Sequence, residues 1–250
     1  MADRDVADEA PIAALLARAA DDDNVRGLVL SGSAARGLRT EHSDVDVYVV
    51  LADASREQTT KTPEIDTIVV SLDVLREVAP PPDDGGDWWF RYSFADARVL
   101  LDRTGGELPA LLRAQATLTD DEVAATLDGY LDGYLNFYYR SLKSDRESKL
   151  LERRLDAVES LSWLLWTVFA LHGRVRPYNK YLRHELTVRP LPAPWAGLLD
   201  DLALLMDDGD VDAQRRIFHL VEAGARARGK GEVVDGWGSE LVLMHGRMEP

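Results

Sequence analysis

Two short apolar runs joined through a glycine turn constrain this chain more than any other feature. Gly27-Leu28-Val29-Leu30-Ser31 leads straight into Gly32-Ser33; after ten intervening residues Asp44-Val45-Asp46 opens a second run, Val47-Tyr48-Val49-Val50-Leu51. Apolar runs of this length, bounded by glycine and polar turns, predict strands over 26–31 and 44–51, with a short helix over 33–38 between them. Side chains i and i+2 share a strand face, so Asp44 and Asp46 point the same way, about 6–7 Å apart. Carboxylates at that separation can share one or two divalent metals, and a glycine-opened turn presents backbone N–H groups to a phosphate.

The pattern Gly32-Ser33, ten residues, Asp44-x-Asp46 resembles the signature of the polymerase-β-like nucleotidyltransferase superfamily. More narrowly, it is similar to the small-molecule branch that includes aminoglycoside nucleotidyltransferases, and to minimal nucleotidyltransferases found as antitoxins. The resemblance implies Mg²⁺ on the aspartates and transfer of a nucleoside monophosphate, AMP from ATP or its counterpart from another NTP, to a hydroxyl of a small molecule, an aminoglycoside-like antibiotic being one such acceptor. The alternative is an antitoxin-type adenylyltransferase that modifies a partner toxin, a protein acceptor.

Two metals ask for a third carboxylate on a neighbouring strand. The segment Pro63–Val70 predicts that strand, and Asp66 sits inside it between Ile65 and Ile68. An acid in an apolar strand is costly unless partnered, which favours Asp66; Glu64 on the same face is the competing choice. Gly32 and Ser33 also read as a strand-to-helix turn whose helix N-terminus favours an anion. Arg36 on its first turn is a candidate phosphate contact or a surface arginine, and Ser43 either supports the aspartates or closes a turn. For the general base Glu159 is the candidate, with Glu122, Asp128 and Asp132 open.

The helical half holds Arg174-Val175-Arg176-Pro177-Tyr178-Asn179-Lys180-Tyr181-Leu182-Arg183-His184, basic in a chain of net charge −15. By resemblance to the C-terminal domains of small-molecule nucleotidyltransferases, Lys180 would contact the β- and γ-phosphates, with Arg176 or Tyr181 nearby. The helix-end reading, basic groups near a helix C-terminus, stands beside it. Trp163, Trp166 and Phe169 read as core. Trp88-Trp89, after the Pro/Gly loop Pro80–Gly86, is a candidate cleft lining, and His172 a helix end.

Helical spacing over 9–20, a helix from an N-cap at Ser71, one over Leu108–Gln115 and an ambiguous stretch over 88–101 complete the first half. From the capping-box sequence Thr119–Glu122 onward the pattern is helical, over 121–143, 148–172, 179–186, 195–206 and 210–227. The fold class is therefore α+β: an N-terminal mixed sheet with flanking helices over 1–115, then an all-α helical-bundle domain over 116–250. Nucleic acid is disfavoured as a partner by the charge, which is compatible with a polycationic small molecule and equally with a halotolerant or simply acidic host proteome. No cysteine is present, so thiolate chemistry is excluded, and no run of about 18 apolar residues spans a membrane. The acidic N-terminus lacks a secretory pattern, giving a cytoplasmic expectation.

Overall fold

The computed structural model describes residues 9–53, 59–77 and 87–246, the side chains of 87–89 excepted. The Pro80–Gly86 loop and the Trp88-Trp89 side chains lie outside these. The chain forms two compact units, the first running to Thr117 and the second starting at Leu118.

In the first unit the elements are α1 (Ala10–Ala20), β1 (Val25–Leu30), α2 (Gly32–Ala35), β2 (Val45–Leu51), β3 (Thr60–Lys61), β4 (Ile65–Ser71), α3 (Leu72–Arg76), a 3-10 segment (Asp87–Phe94), β5 (Arg98–Asp102) and α4 (Glu107–Gln115). The described strands make one sheet in the order β3-β4-β2-β1-β5. β2 and β4 run parallel in register, so Asp46 lies directly opposite Asp66; the other neighbours are antiparallel.

Both sheet faces are covered. Leu28, Leu30, Val45, Val47 and Leu51 pack under Ile12 and Ala19 of α1 and Ala34 of α2. Val29, Tyr48 and Val50 pack the opposite way, against Leu72 and Leu75 of α3, Phe94, and Leu108 and Leu112 of α4. A bulge between Val25 and Gly27 resets the alternation, which lets Val25 and Leu28 share a face. Each fully buried Leu, Val or Phe contributes about 1.5–3 kcal/mol. The stretch read as ambiguous resolves into the 3-10 segment and then β5: Asp87–Phe94 has neither a period of 2 nor a long helical face, and Arg91 pins it. The wholly buried Arg91 donates through Nε to the Gln115 carbonyl at 2.7 Å and through Nη2 to that of Thr117 at 2.9 Å.

The second unit is helical: α5 (Asp120–Arg146), α6 (Leu150–Leu171), α7 (Leu182–Val188), α8 (Leu198–Asp208), α9 (Val211–Ala227), α10 (Gly231–Asp235) and α11 (Leu241–Met244). Thr119 and Glu122 form the expected capping box, and Ser71 accepts from the Val74 N–H at the start of α3. α5 buries Val123, Leu127, Leu131, Tyr134, Tyr138 and Leu142, spaced three and four apart. The sequence reading missed α10 and α11, which are only five and four residues long. Among the described residues no helix is long and apolar enough to cross a membrane.

Two glycines of α5 separate propensity from packing. A Cβ on Gly129 would meet nothing within 4 Å, whereas one on Gly133 would lie 2.3 Å from Trp163 Cε3. Gly129→Ala should stabilise by about 0.5–1 kcal/mol. Gly133→Ala gains the same propensity but overpacks a rigid indole at about 1–3 kcal/mol, so it should be neutral to destabilising. Urea unfolding of the two variants checks the contrast; equal stabilisation would mean Trp163 moves freely.

Candidate active site

Asp46 lies on β2 on the Tyr48 and Val50 face, Asp66 faces it across the parallel register, and Asp44 immediately precedes β2. One carboxylate oxygen from each lies within 4.8 Å of the others. Three acids this close repel unless a cation joins them. Lys61 is drawn in: its Nζ lies 2.5 Å from Asp66 Oδ2 and 3.5 Å from Asp44 Oδ2. It stands opposite Asp66 in the β3–β4 pairing. The Asp66 carboxylate, and then that of Asp44, holds the ammonium's pKa above the ordinary lysine range.

The donor set fits a hard divalent cation. It is all oxygen, and Asp66 Oδ1 is buried with no hydrogen-bond partner. The Asp66 side chain is 14% exposed, while Lys61 is 75% exposed and free to swing out. Register decides between the two acids considered for the third position: Glu64 precedes β4 and is exposed, so Asp66 completes the cluster.

Gly32 makes the turn close over Asp46. Its φ is +63°, and a Cβ there would lie 1.9 Å from Asp46 Oδ2. Only glycine allows both the left-handed backbone and that approach. The helix expected over 33–38 shortens to the single turn of α2, so a macrodipole adds little; what it offers an anion is its first N–H groups, which have no partner within the turn. Ser31 does not cap them, because its hydroxyl donates instead to the Ser93 carbonyl at 2.8 Å. Ser33, just inside the turn, is half-buried.

Arg36 corrects the phosphate-contact expectation. Its side chain is wholly buried, with Nε 3.1 Å from Asp96. It donates to the carbonyls of Gly32 at 2.9 Å and Tyr92 at 2.8 Å, and its guanidinium lies over the Tyr92 ring. It braces the Gly32 turn from inside. Ser43 takes the turn role: its hydroxyl accepts from the Thr40 N–H at 3.0 Å. The reading also missed Tyr48, whose phenol pairs with Ser93 Oγ at 2.9 Å. Burial raises its pKa, Ser93 offsets part of that, and the Asp46 charge adds to the rise. Lys61 was missed because a two-residue strand leaves no periodic signal; its place across a hairpin from Asp66 was the available clue.

The remaining candidates belong to the helical unit. Arg176 corrects its expected role: it is 2% exposed, donates to Asn179 Oδ1 at 3.0 Å and lies over the Trp166 ring. Burial pulls its pKa down to about 10, which leaves it cationic at neutral pH. Tyr181 is buried, and exposed Lys180 rests 4.8 Å over its ring. Arg174 is committed to buried Glu185, which also binds Arg189. Glu185 follows the basic stretch directly, so the local charge excess is smaller than it looked. Glu159 is exposed on α6. One turn earlier, Asp156 has its pKa raised by burial, with Arg140 opposing and Glu159 adding. Trp166 and Phe169 are core, and His172 ends α6 with Nδ1 2.8 Å from the Val168 carbonyl.

Residues 13–86 match the model of the nucleotidyltransferase domain family. The match runs from within α1 through α3 and includes the turn and the three acids, so the first unit contains a nucleotidyltransferase domain and the protein is a nucleotidyltransferase. No curated protein matches the chain.

Gly37 provides a control for the turn, since it has φ +67° but nothing within 4 Å of a Cβ. Gly37→Ala should cost about 1–2 kcal/mol and retain nucleotidyl transfer. Gly32→Ala should lose more stability and also lower transfer, because the methyl displaces Asp46. Thermal unfolding and turnover of both variants check this; equal activity would mean the Gly32–Asp46 approach is irrelevant to catalysis.

Proposed function

We propose that the protein transfers AMP from ATP to a hydroxyl of a small molecule, with Mg²⁺ held by Asp44, Asp46 and Asp66. The observation carrying this is the gathering of three carboxylates beside the Gly32 turn, with Asp66 Oδ1 left unbonded. When bound, Mg²⁺ supplies polarisation of the α-phosphate, a more acidic acceptor hydroxyl and neutralisation of the departing pyrophosphate.

The chain's own residues do the positioning. The Gly32 and Ser33 backbone N–H groups receive phosphate oxygens, and Arg36 holds the Gly32 carbonyl so that the turn stays open. Lys61 neutralises the acids in the absence of a metal, and its exposure would let it give way to one. Lys180 is an exposed cation of the basic stretch in the helical unit, with Tyr181 beneath it. Arg176 supports that surface from within and touches no phosphate. The net charge of −15 is compatible with a polycationic acceptor such as an aminoglycoside. The helical unit supports a small-molecule acceptor over a protein one, since a minimal protein-modifying enzyme does without it.

Pyrophosphate release with Mg²⁺, ATP and a panel of hydroxylated polycations tests the reading. Asp66→Asn should lower turnover by about 10²-fold or more, while Glu64→Gln stays within a few-fold of the parent. A larger loss from Glu64→Gln would move the third ligand to Glu64. Turnover that survives Asp66→Asn would remove the metal role from β4.

A further inference from the structure

The helical unit contains a second group of ligand-type side chains that the transfer reaction does not use. His219 and Glu222 stand three residues apart on α9, hence on one face of the helix. His245, the residue that caps α11, reaches the same place. One ring nitrogen from each histidine and one Glu222 oxygen lie within 4.8 Å of one another.

These groups are held rather than merely adjacent. Tyr138 donates to the Met244 carbonyl at 2.6 Å, fixing the end of α11 to α5. The His245 ring meets the edge of Phe218 at 5.2 Å, and its Nδ1 lies 2.8 Å from the Leu241 carbonyl. Glu222 Oε1 accepts from Arg226 Nε and Nη2 at 3.2 and 2.9 Å, which turns Oε2 towards His245 Nε2 at 2.8 Å. Burial would raise the Glu222 pKa, but His245 and Arg226 outweigh it and hold the carboxyl ionised. His219 lies nearly parallel to His245, 5.6 Å away, and is exposed.

The hydrogen-bond inventory selects the chemistry. A carbonyl only accepts, so Nδ1 of His245 carries the hydrogen, and in the neutral ring Nε2 is the lone-pair end. A lone pair facing a carboxylate oxygen at 2.8 Å needs a cation between them, a proton or a metal. An N–H donated to a backbone carbonyl is also how metal-ligating histidines are oriented. Two imidazoles and one carboxylate suit zinc-class divalent ions, whereas the all-oxygen set of Asp44, Asp46 and Asp66 suits magnesium.

We infer that His219, Glu222 and His245 bind one zinc-class divalent ion, which takes the place of the proton between Nε2 and Oε2. The nitrogen–oxygen separation opens to about 3.4 Å for tetrahedral bonds of about 2.1 Å. The exposure of His219 leaves the fourth position to water. The bound ion joins α9 to α11 and tightens the end of the helical unit.

The test uses full-length protein, stripped with chelator, dialysed and titrated with zinc chloride alone by calorimetry, with cobalt chloride absorption as the second readout. One zinc per chain should bind, and His219→Ala should weaken it at least about tenfold and abolish the visible cobalt bands. Because His219 is exposed, the metal-free variant should melt with the parent; zinc should raise the melting temperature of the parent only. Asp46→Asn should bind zinc as the parent does, which separates this site from the acid cluster. Absence of zinc binding, equal affinity in His219→Ala, or loss of the zinc in Asp46→Asn would each overturn the assignment.

Discussion

Mutual repulsion of three carboxylates is the constraint around which the first unit is organised. Two like charges about 4–5 Å apart cost roughly 3–4 kcal/mol at an effective dielectric of 20, and about 1 kcal/mol in water. Asp44, Asp46 and Asp66 make three such pairs. A cation relieves that repulsion, and Lys61 supplies one from the neighbouring strand. Its exposure makes the neutralisation exchangeable, whereas a buried arginine would have locked the cluster shut.

The sheet makes this constraint unavoidable. Parallel pairing of β2 with β4 in exact register puts Asp46 against Asp66, and the two apolar cores on either face prevent a slip. The turn after β1 then closes on Asp46, and buried Arg36, paired with half-buried Asp96, holds its carbonyl from beneath. Removing Asp96 would leave the buried Arg36 charge without its carboxylate, so the brace is structural even though it serves the site.

What could be read from the sequence was local. Gly32-Ser33 and Asp44-x-Asp46 were legible because a turn residue and a period of two are encoded in neighbouring positions, and Asp66 because an acid interrupts an apolar strand. What could not be read depended on distant partners. Arg36 was misjudged because Tyr92 and Asp96 lie some sixty residues on, and their segment has no clear period. Arg176 looked available because burial beneath Trp166 is invisible in a basic stretch. Lys61 was missed in a strand of two residues, and the His219–Glu222–His245 group because α11 is a single short turn.

The central claim is that the acid cluster is a metal seat next to a phosphate-binding turn. The most direct measurement is a crystal structure of the protein with Mn²⁺ and a non-hydrolysable ATP analogue, with the ion located by anomalous scattering. The account predicts Mn²⁺ bonded to Asp44, Asp46 and Asp66, Lys61 displaced, and the triphosphate on the Gly32–Ser33 backbone. Mn²⁺ elsewhere, or an analogue bound with Lys61 still bridging Asp44 and Asp66, would contradict it.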